Sequence, residues 1–167
     1  MVKNVSIGKS GLPKPPARKT RRLGVLLCLL YAHDLSERTS VKIVLVAESG
    51  FTRSSVNVNL RSAGHEVTEA EPTSLTSVLM VMREVLPHLV VMDYEIPLCH
   101  CETVVRIVRE DPILSRTPML VIVDSMRIDG VDRMSRWEQL RFLQKPLQVE
   151  ALLQAVQDQF PTLSTNS

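Results

Sequence analysis

Three short apolar runs, separated by segments with helical spacing, constrain the fold of this chain most. They are VKIVLVA at 41–47, HLVVMD at 88–93 and PMLVIV at 118–123. A short run without polar alternation is typical of a parallel strand that is buried on both faces. Two weaker candidates, HEVTEA at 65–70 and RFLQ at 141–144, bring the number of predicted strands to five.

Segments with apolar residues at helical spacing follow each predicted strand. The predicted helices cover about 54–64, 74–86, 102–110, 131–139 and 146–160. Gly64 and Pro87 stand where the first two should stop, and Pro146 would occupy the first turn of the last. Five strands that alternate with five helices predict an α/β fold, an open parallel sheet with helices on both faces in three layers.

Polar residues stand where several of the predicted strands end. Glu48 follows the first strand, Asp93 ends the third, Asp124 follows the fourth and Lys145 follows the fifth. The carboxyl ends of parallel strands share one edge of the sheet, and such folds bind their ligands there. Carboxylates with Mg²⁺ and a lysine suit a phosphoryl group, for which an aspartate can be the nucleophile.

The chain from about 42 to 160 resembles a receiver domain of bacterial two-component response regulators. VVMDYEIP matches the phosphoacceptor strand and the proline after it, and FLQKP matches the lysine–proline segment of the last strand. REDPILSRTPMLVIV is similar to the family's approach to the fourth strand. The resemblance implies a CheY-like receiver domain over 41–160, with a flavodoxin-like, doubly wound (β/α)5 sheet.

The resemblance also implies roles for four residues at the edge of the sheet. Asp93 would be the phosphoacceptor, and Lys145 would contact the phosphoryl group. Glu48, Asp93 and the backbone carbonyl of Glu95 would bind Mg²⁺.

Two switch positions and three departures from the family pattern follow from the same resemblance. Phe142 stands at the position of the aromatic switch residue, and Val123 stands where the family has a Ser or Thr. Valine cannot hydrogen-bond a phosphoryl group. Ala47 replaces one of two acids after the first strand, and His100–Cys101 replace an Asp–Gly pair. The Mg²⁺ site is therefore expected to be weakened.

Two functions of different classes remain open. The chain is expected to be a single-domain receiver that takes a phosphoryl group from a histidine kinase or phosphotransfer protein and signals through a downstream protein target. The alternative is a degenerate pseudo-receiver that acts as a protein-interaction module without phosphate. Neither is a turnover enzyme, and neither implies direct binding of nucleic acid. Nucleotide binding is disfavoured because the chain has no Gly-rich phosphate loop.

The cysteines indicate a reducing compartment. Cys28, Cys99 and Cys101 are odd in number, and the last two are too close in sequence for an ordinary bridge. A cytoplasmic location follows as the expectation. The sequence CHC at 99–101 does not favour a zinc site, because three adjacent residues cannot all face one ion. His65 and His88 flank predicted strands and are expected at the surface.

The first forty residues differ in composition from the rest. Residues 1–40 carry eight basic and two acidic residues, net +6, and residues 41–167 carry twelve and sixteen, net −4. This basic arm is predicted to be disordered, as is the tail at 161–167. Its apolar run LGVLLCLLYA, at 23–32, is shorter than the roughly 20 residues that span a bilayer. Export, a short helix resting on the domain or a membrane surface, and a true start at Val41 remain alternatives.

Overall fold

The structure, a computed structural model, describes residues 40–48, 50–96, 99–124 and 128–161. The predicted basic arm up to residue 39 and the tail from 162 lie outside the described residues. Within the described ranges, no helix is both long and apolar enough to cross a membrane.

One parallel sheet forms the centre of the described domain. Its strands are β1 Lys42–Val46, β2 Glu66–Ala70, β3 Leu89–Asp93, β4 Met119–Val123 and β5 Leu140–Gln144, in the order β2-β1-β3-β4-β5. The helices between and after them are α1 Gly50–Ser62, α2 Leu75–Val85, α3 Cys101–Glu110, α4 Ile128–Met134 and α5 Val149–Gln159. The predicted alternation of strand and helix is confirmed.

Successive residues of each strand supply two apolar layers, one on each face of the sheet. Val44, Met92 and Val121 lie in a buried cluster that includes side chains of α2, α3 and α4. Ile43 and Val91 lie in a second cluster, with side chains of α1 and α5. All ten residues of β3 and β4 are buried; nine are apolar, as expected for strands covered on both faces, and the tenth is Asp93. The result is the expected three-layer sandwich.

Two predicted helix boundaries were wrong. The fourth helix was expected over 131–139 but ends at Met134, and Gln139 turns the chain into β5 with a left-handed φ of 57°. Pro146 was expected in the first turn of α5, which instead begins at Val149. The backbone N–H of Lys145 still donates to the Val123 carbonyl at 2.8 Å, so the chain continues along the sheet before it can turn into a helix.

The expectation that His88 lies at the surface was also wrong. Only 3% of its surface is exposed. Its Nδ1 accepts a hydrogen bond from the Lys42 backbone N–H at 3.0 Å, and its backbone N–H donates to the Lys42 carbonyl at 2.9 Å. His88 therefore joins the start of β3 to the start of β1.

A buried carboxylate links the end of α2 to the loop after α3. Asp111 accepts hydrogen bonds from Arg83 at 2.9 and 2.7 Å, and from the backbone N–H groups of Ile113 and Leu114 at 2.9 and 3.1 Å. Burial raises the pKa of Asp111, but these hydrogen bonds and the Arg83 charge outweigh it and hold the pKa below its usual 3.8. The charged form is therefore favoured in the folded state.

We expect Asp111→Asn to lower the free energy of unfolding by about 1–3 kcal/mol near neutral pH, because the charged carboxylate that accepts these hydrogen bonds is lost. A carboxyl with a depressed folded pKa stabilises the fold above its unfolded pKa. That contribution is lost as the pH falls below 3.8 and through the folded pKa. Urea unfolding at about pH 7 and about pH 3 should therefore show the difference between the two proteins shrinking. Asp132→Asn, at an exposed aspartate, is the control; an equal loss there would contradict the assignment.

Candidate functional site

The ends of three central strands lie side by side at one edge of the sheet. Val46 is in register with Met92, and Asp93 is in register with Ile122. The Tyr94 backbone N–H continues this pairing by donating to the Ile122 carbonyl at 2.8 Å. The residues that follow these strands therefore emerge together, as expected for the ligand edge of an open parallel sheet.

Asp93 and Lys145 form an ion pair at this edge. The Lys145 Nζ donates to both carboxylate oxygens of Asp93, at 3.0 Å to Oδ1 and 2.9 Å to Oδ2. The Asp93 side chain is 2% exposed and that of Lys145 is 25% exposed. The Glu95 backbone N–H adds a third hydrogen bond, to Oδ1 at 3.2 Å. The carboxylate is thus held in one orientation beside a fixed positive charge.

The other predicted site residues lie on the neighbouring strands and strand ends. Glu48 is exposed just after β1, and Ala47 before it is fully buried and has a side chain with no donor atom. Val123 ends β4 and is 6% exposed. Phe142 is half-buried on β5 and packs against the cluster of α2, α3 and α4. Their roles in metal binding or switching stay predictions.

The oxygen donors at the edge of the sheet suit Mg²⁺ in chemical type. Proteins commonly hold this ion with one or two carboxylates, and waters and ligand phosphates complete the octahedron. The hydrogen bond from Glu95 places its backbone beside Asp93. Among the described residues, no three His, Cys, Asp or Glu side chains come together as a metal site. Glu48, Asp93 and the Glu95 carbonyl stay the predicted ligands of such an ion.

Cys101 is a neighbour of Asp93 that sequence reasoning did not assign to the site. It is the first residue of α3 and is 2% exposed. Burial, followed by the negative charge of Asp93, raises the pKa of the Cys101 thiol to about 12. The thiol is therefore protonated at neutral pH and adds no negative charge beside the carboxylate. The sequence signal for the proximity of Cys101 to Asp93 was the predicted start of the third helix shortly after the end of the third strand.

A cleft of about 440 Å³ opens beside the end of β3. Residues 94–96 and 100–102 line one side of it, and Arg133 of α4 lines the other. The Arg133 Nε lies 3.5 Å from the Glu102 Oε2, so an exposed ion pair connects the two sides. The cleft therefore lies beside the segment that follows Asp93, between the start of α3 and Arg133 of α4.

Solved structures share this fold at low sequence identity. The Vibrio cholerae chemotaxis response regulator CheY4 matches with a TM-score of 0.64 and 22% identity, over 72% of this chain and 98% of CheY4. The receiver domain of the Pseudomonas aeruginosa sensor histidine kinase PA1611, which has a magnesium ion in its active-site cleft, matches with a TM-score of 0.65 and 17% identity, over 73% and 98%. The receiver domain of a Syntrophus aciditrophicus histidine kinase gives 0.65 and 16%, over 76% and 95%.

No family model and no curated protein sequence matches the chain. Since the structural matches are less than 25% identical, they establish the fold and leave the chemistry to the residues themselves. The fold is that of CheY-like receiver domains, as the sequence resemblance implied.

Proposed function

We propose that this chain, which has the CheY-like receiver fold, accepts a phosphoryl group on Asp93 and passes the signal on through protein contacts. The observation that carries the proposal is the two-pronged hydrogen bonding of Lys145 Nζ to the Asp93 carboxylate at the ligand edge of the sheet. Such a lysine stabilises an oxyanion that forms on the transferred group. The chain would act in signalling rather than as a turnover enzyme.

The proposed reaction is phosphoryl transfer from a phosphohistidine. An oxygen of Asp93 attacks the phosphorus, a P–O bond forms and the P–N bond breaks. The phosphohistidine reacts with its other ring nitrogen protonated, so the nitrogen that leaves with the electron pair of the P–N bond ends as part of a neutral imidazole. Lys145 moves from the carboxylate toward the phosphoryl oxygens, which offer more negative charge than the acyl group that remains.

Mg²⁺ would be held by Glu48, Asp93 and the Glu95 carbonyl, and it would offset the charge of the phosphoryl group. The protein supplies few charges for this purpose, because Ala47 has no carboxylate. Glu48 reaches the edge from an exposed position with a longer side chain than aspartate. The proposed site is therefore weak.

The proposed partners are a histidine kinase or phosphotransfer protein and a downstream protein target, in the cytoplasm of a bacterium. The buried free thiols of Cys99 and Cys101 are in keeping with a reducing compartment. Of the two switch positions that the resemblance implies, Phe142 would carry a phosphorylation-dependent signal, because Val123 has no hydroxyl that could couple the phosphoryl group to the surface.

A second candidate, a pseudo-receiver that binds its partner without phosphate, draws on two specific features. Ala47 is fully buried where a carboxylate would be needed, and the Val123 side chain has no hydroxyl. In that case Lys145 and Asp93 act as a permanent ion pair that maintains the shape of the edge.

Intact mass spectrometry distinguishes the two candidates. After incubation with Mg²⁺ and phosphoramidate, we expect a species heavier by one phosphoryl group in the unmodified chain and its complete loss in Asp93→Asn. Asp124→Asn, at the next strand end, is the matched control and should keep the modification. If the chain without substitutions gains no phosphoryl group from small-molecule donors or from a phosphorylated histidine phosphotransfer domain, the pseudo-receiver is favoured. Modification that survives Asp93→Asn refutes the assigned residue.

A further inference from the structure

An exposed apolar surface lies on the side of α2 and α3, toward the edge where the strands begin. Met80, Leu86 and Ile113 expose 65%, 42% and 63% of their surface, and we call them the α2–α3 patch. Among the described residues, five large hydrophobic side chains are exposed, and three of them belong to this patch. Apolar residues exposed singly are ordinary, whereas a group of them marks a surface that contacts something.

The ion pair between α2 and the loop after α3 brings the patch together. Arg83, on the turn after Met80, donates two hydrogen bonds to Asp111, at 2.9 and 2.7 Å. The Ile113 backbone N–H donates to the same carboxylate at 2.9 Å. Met80 and Leu86 each lie about one helical turn from Arg83, and Ile113 lies beside its partner. The three apolar residues therefore surround one point of the surface.

The backbone of Leu86 adds a separate observation. This residue caps α2 with a left-handed conformation, φ 49° and ψ 65°, which glycine or asparagine adopts at lower cost. Residues held in such conformations tend to occur where a surface has a function. Leucine has no advantage for the backbone conformation at this position, so what it supplies there is its apolar side chain.

The N-terminal segment enters the domain next to the patch. The Lys42 backbone N–H donates to His88 Nδ1 at 3.0 Å, and the His88 backbone N–H donates to the Lys42 carbonyl at 2.9 Å. Ser40, two residues before Lys42, is thus close to the segment that joins Leu86 to β3. Ser40 is the first described residue, so residues 1–39 are attached to the domain at this point.

We propose that the apolar run at 23–32 of the same chain binds the α2–α3 patch. Seven residues, 33–39, join the run to Ser40 and can span up to about 25 Å. Met80, the far side of the patch, lies about 9 Å along the helix from Leu86. The linker is therefore long enough for the run to reach from the end of α2 to Met80.

Charge and tethering favour this occupant over a separate molecule. The arm at 1–40 has a net charge of +6 and the rest of the chain −4, and basic residues at 18–22 directly precede the apolar run. Glu84 is exposed one turn from Met80, and the exposed Arg83 beside it is paired with Asp111, so these three residues together carry a net charge of −1. A tether of this length gives an effective concentration near the millimolar range, which a free partner does not reach. The contact is independent of phosphorylation at Asp93.

Cys28, in the middle of the apolar run, is a natural reporter for this contact. Cys99 and Cys101 are 5% and 2% exposed, so they react slowly with a maleimide. In the full chain we expect Cys28 to be alkylated at least about tenfold more slowly than in a peptide of residues 15–40. Combined Met80→Glu and Ile113→Glu should return the rate to that of the peptide.

Val58→Glu is the matched control, because Val58 is 62% exposed on α1, on the other face of the sheet. It should leave Cys28 protected. Peptide-like alkylation in the unmodified chain, or equal acceleration by Val58→Glu, would overturn the proposal. Protection that disappears on dilution would also overturn it and assign the patch to a second copy of the chain.

Amide hydrogen exchange gives a second measurement without altering the described domain. Leu27→Asp in the arm of the full chain should speed exchange at 80–86 several-fold and leave 52–60 on α1 unchanged. If Leu27→Asp leaves the exchange rate at 80–86 as unchanged as that at 52–60, the arm does not bind this patch.

Discussion

Lys145→Met is expected to lower the free energy of unfolding by about 2–4 kcal/mol and to abolish phosphorylation of Asp93. Removing one partner of a buried ion pair leaves the other charge uncompensated. Asp93 is 2% exposed, and Lys145 Nζ is the cation bonded to both of its oxygens. The same substitution removes the positive charge that would stabilise a phosphoryl group on Asp93. Urea unfolding and intact mass after phosphoramidate treatment measure the two effects.

A second substitution tests whether the loss of stability in Lys145→Met comes from the uncompensated charge of Asp93. Asp93→Asn in the Lys145→Met background removes the uncompensated charge, so most of the lost stability should return. Arg141→Met is the matched control, since Arg141 lies on β5 and pairs at the surface with Asp158 at 3.0 Å. An exposed pair of this kind contributes at most about 1 kcal/mol. A double variant no more stable than Lys145→Met would mean that the lost stability does not come from the uncompensated charge of Asp93.

The central strands and the position of Asp93 and Lys145 at one edge of the sheet were predictable for one physical reason. A strand buried on both faces is expected to be continuously apolar, and β4 and the first four residues of β3 are. Strand ends in a parallel sheet then share an edge. Asp93 and Lys145, 52 positions apart in the chain, are therefore expected at the same edge, whereas the apolar pattern does not show that Lys145 reaches across the intervening β4 to Asp93.

The burial of Cys101 and His88 could not be predicted by the same reasoning. Their positions depend on the path of connecting segments, for which apolar periodicity gives no information. His88 is polar at the start of β3, yet it is buried because the Lys42 backbone N–H uses its Nδ1 as an acceptor. Cys101 lies near the site because α3 begins there, and the length of the turn after Asp93 decides that point.

Helix boundaries show the limit of local signals. Pro146 is well suited to the first turn of a helix, and residues 149–160 have helical spacing. The structure delays α5 to Val149 because the Lys145 backbone still pairs with Val123 of β4. A tertiary hydrogen bond outweighs the local preference, and the same bond holds the Lys145 side chain over Asp93.

Combined Ala47→Asp and Val123→Thr is expected to tighten Mg²⁺ binding and to speed phosphorylation of Asp93, each at least about tenfold. The first change adds a carboxylate at the end of β1, next to Glu48. The second adds a hydroxyl at the end of β4 that can hydrogen-bond a phosphoryl oxygen. Titration calorimetry with Mg²⁺ alone measures the first effect, and the rate of modification by phosphoramidate measures the sum.

The two single substitutions should differ in which measured property they change. Ala47→Asp alone should tighten Mg²⁺ binding and should lower the midpoint of thermal unfolding without the ion, because the new carboxylate is buried beside Asp93. Mg²⁺ should restore that midpoint. Val123→Thr alone should change the rate and leave the Mg²⁺ affinity as it was. Ala63→Asp, at an exposed position, adds the same charge elsewhere and should change neither. The double variant could gain Mg²⁺ affinity while its Asp93 takes no phosphoryl group. In that case the groups missing at Ala47 and Val123 do not limit the chemistry. The Asp93–Lys145 pair would then maintain the shape of the surface, as in the pseudo-receiver.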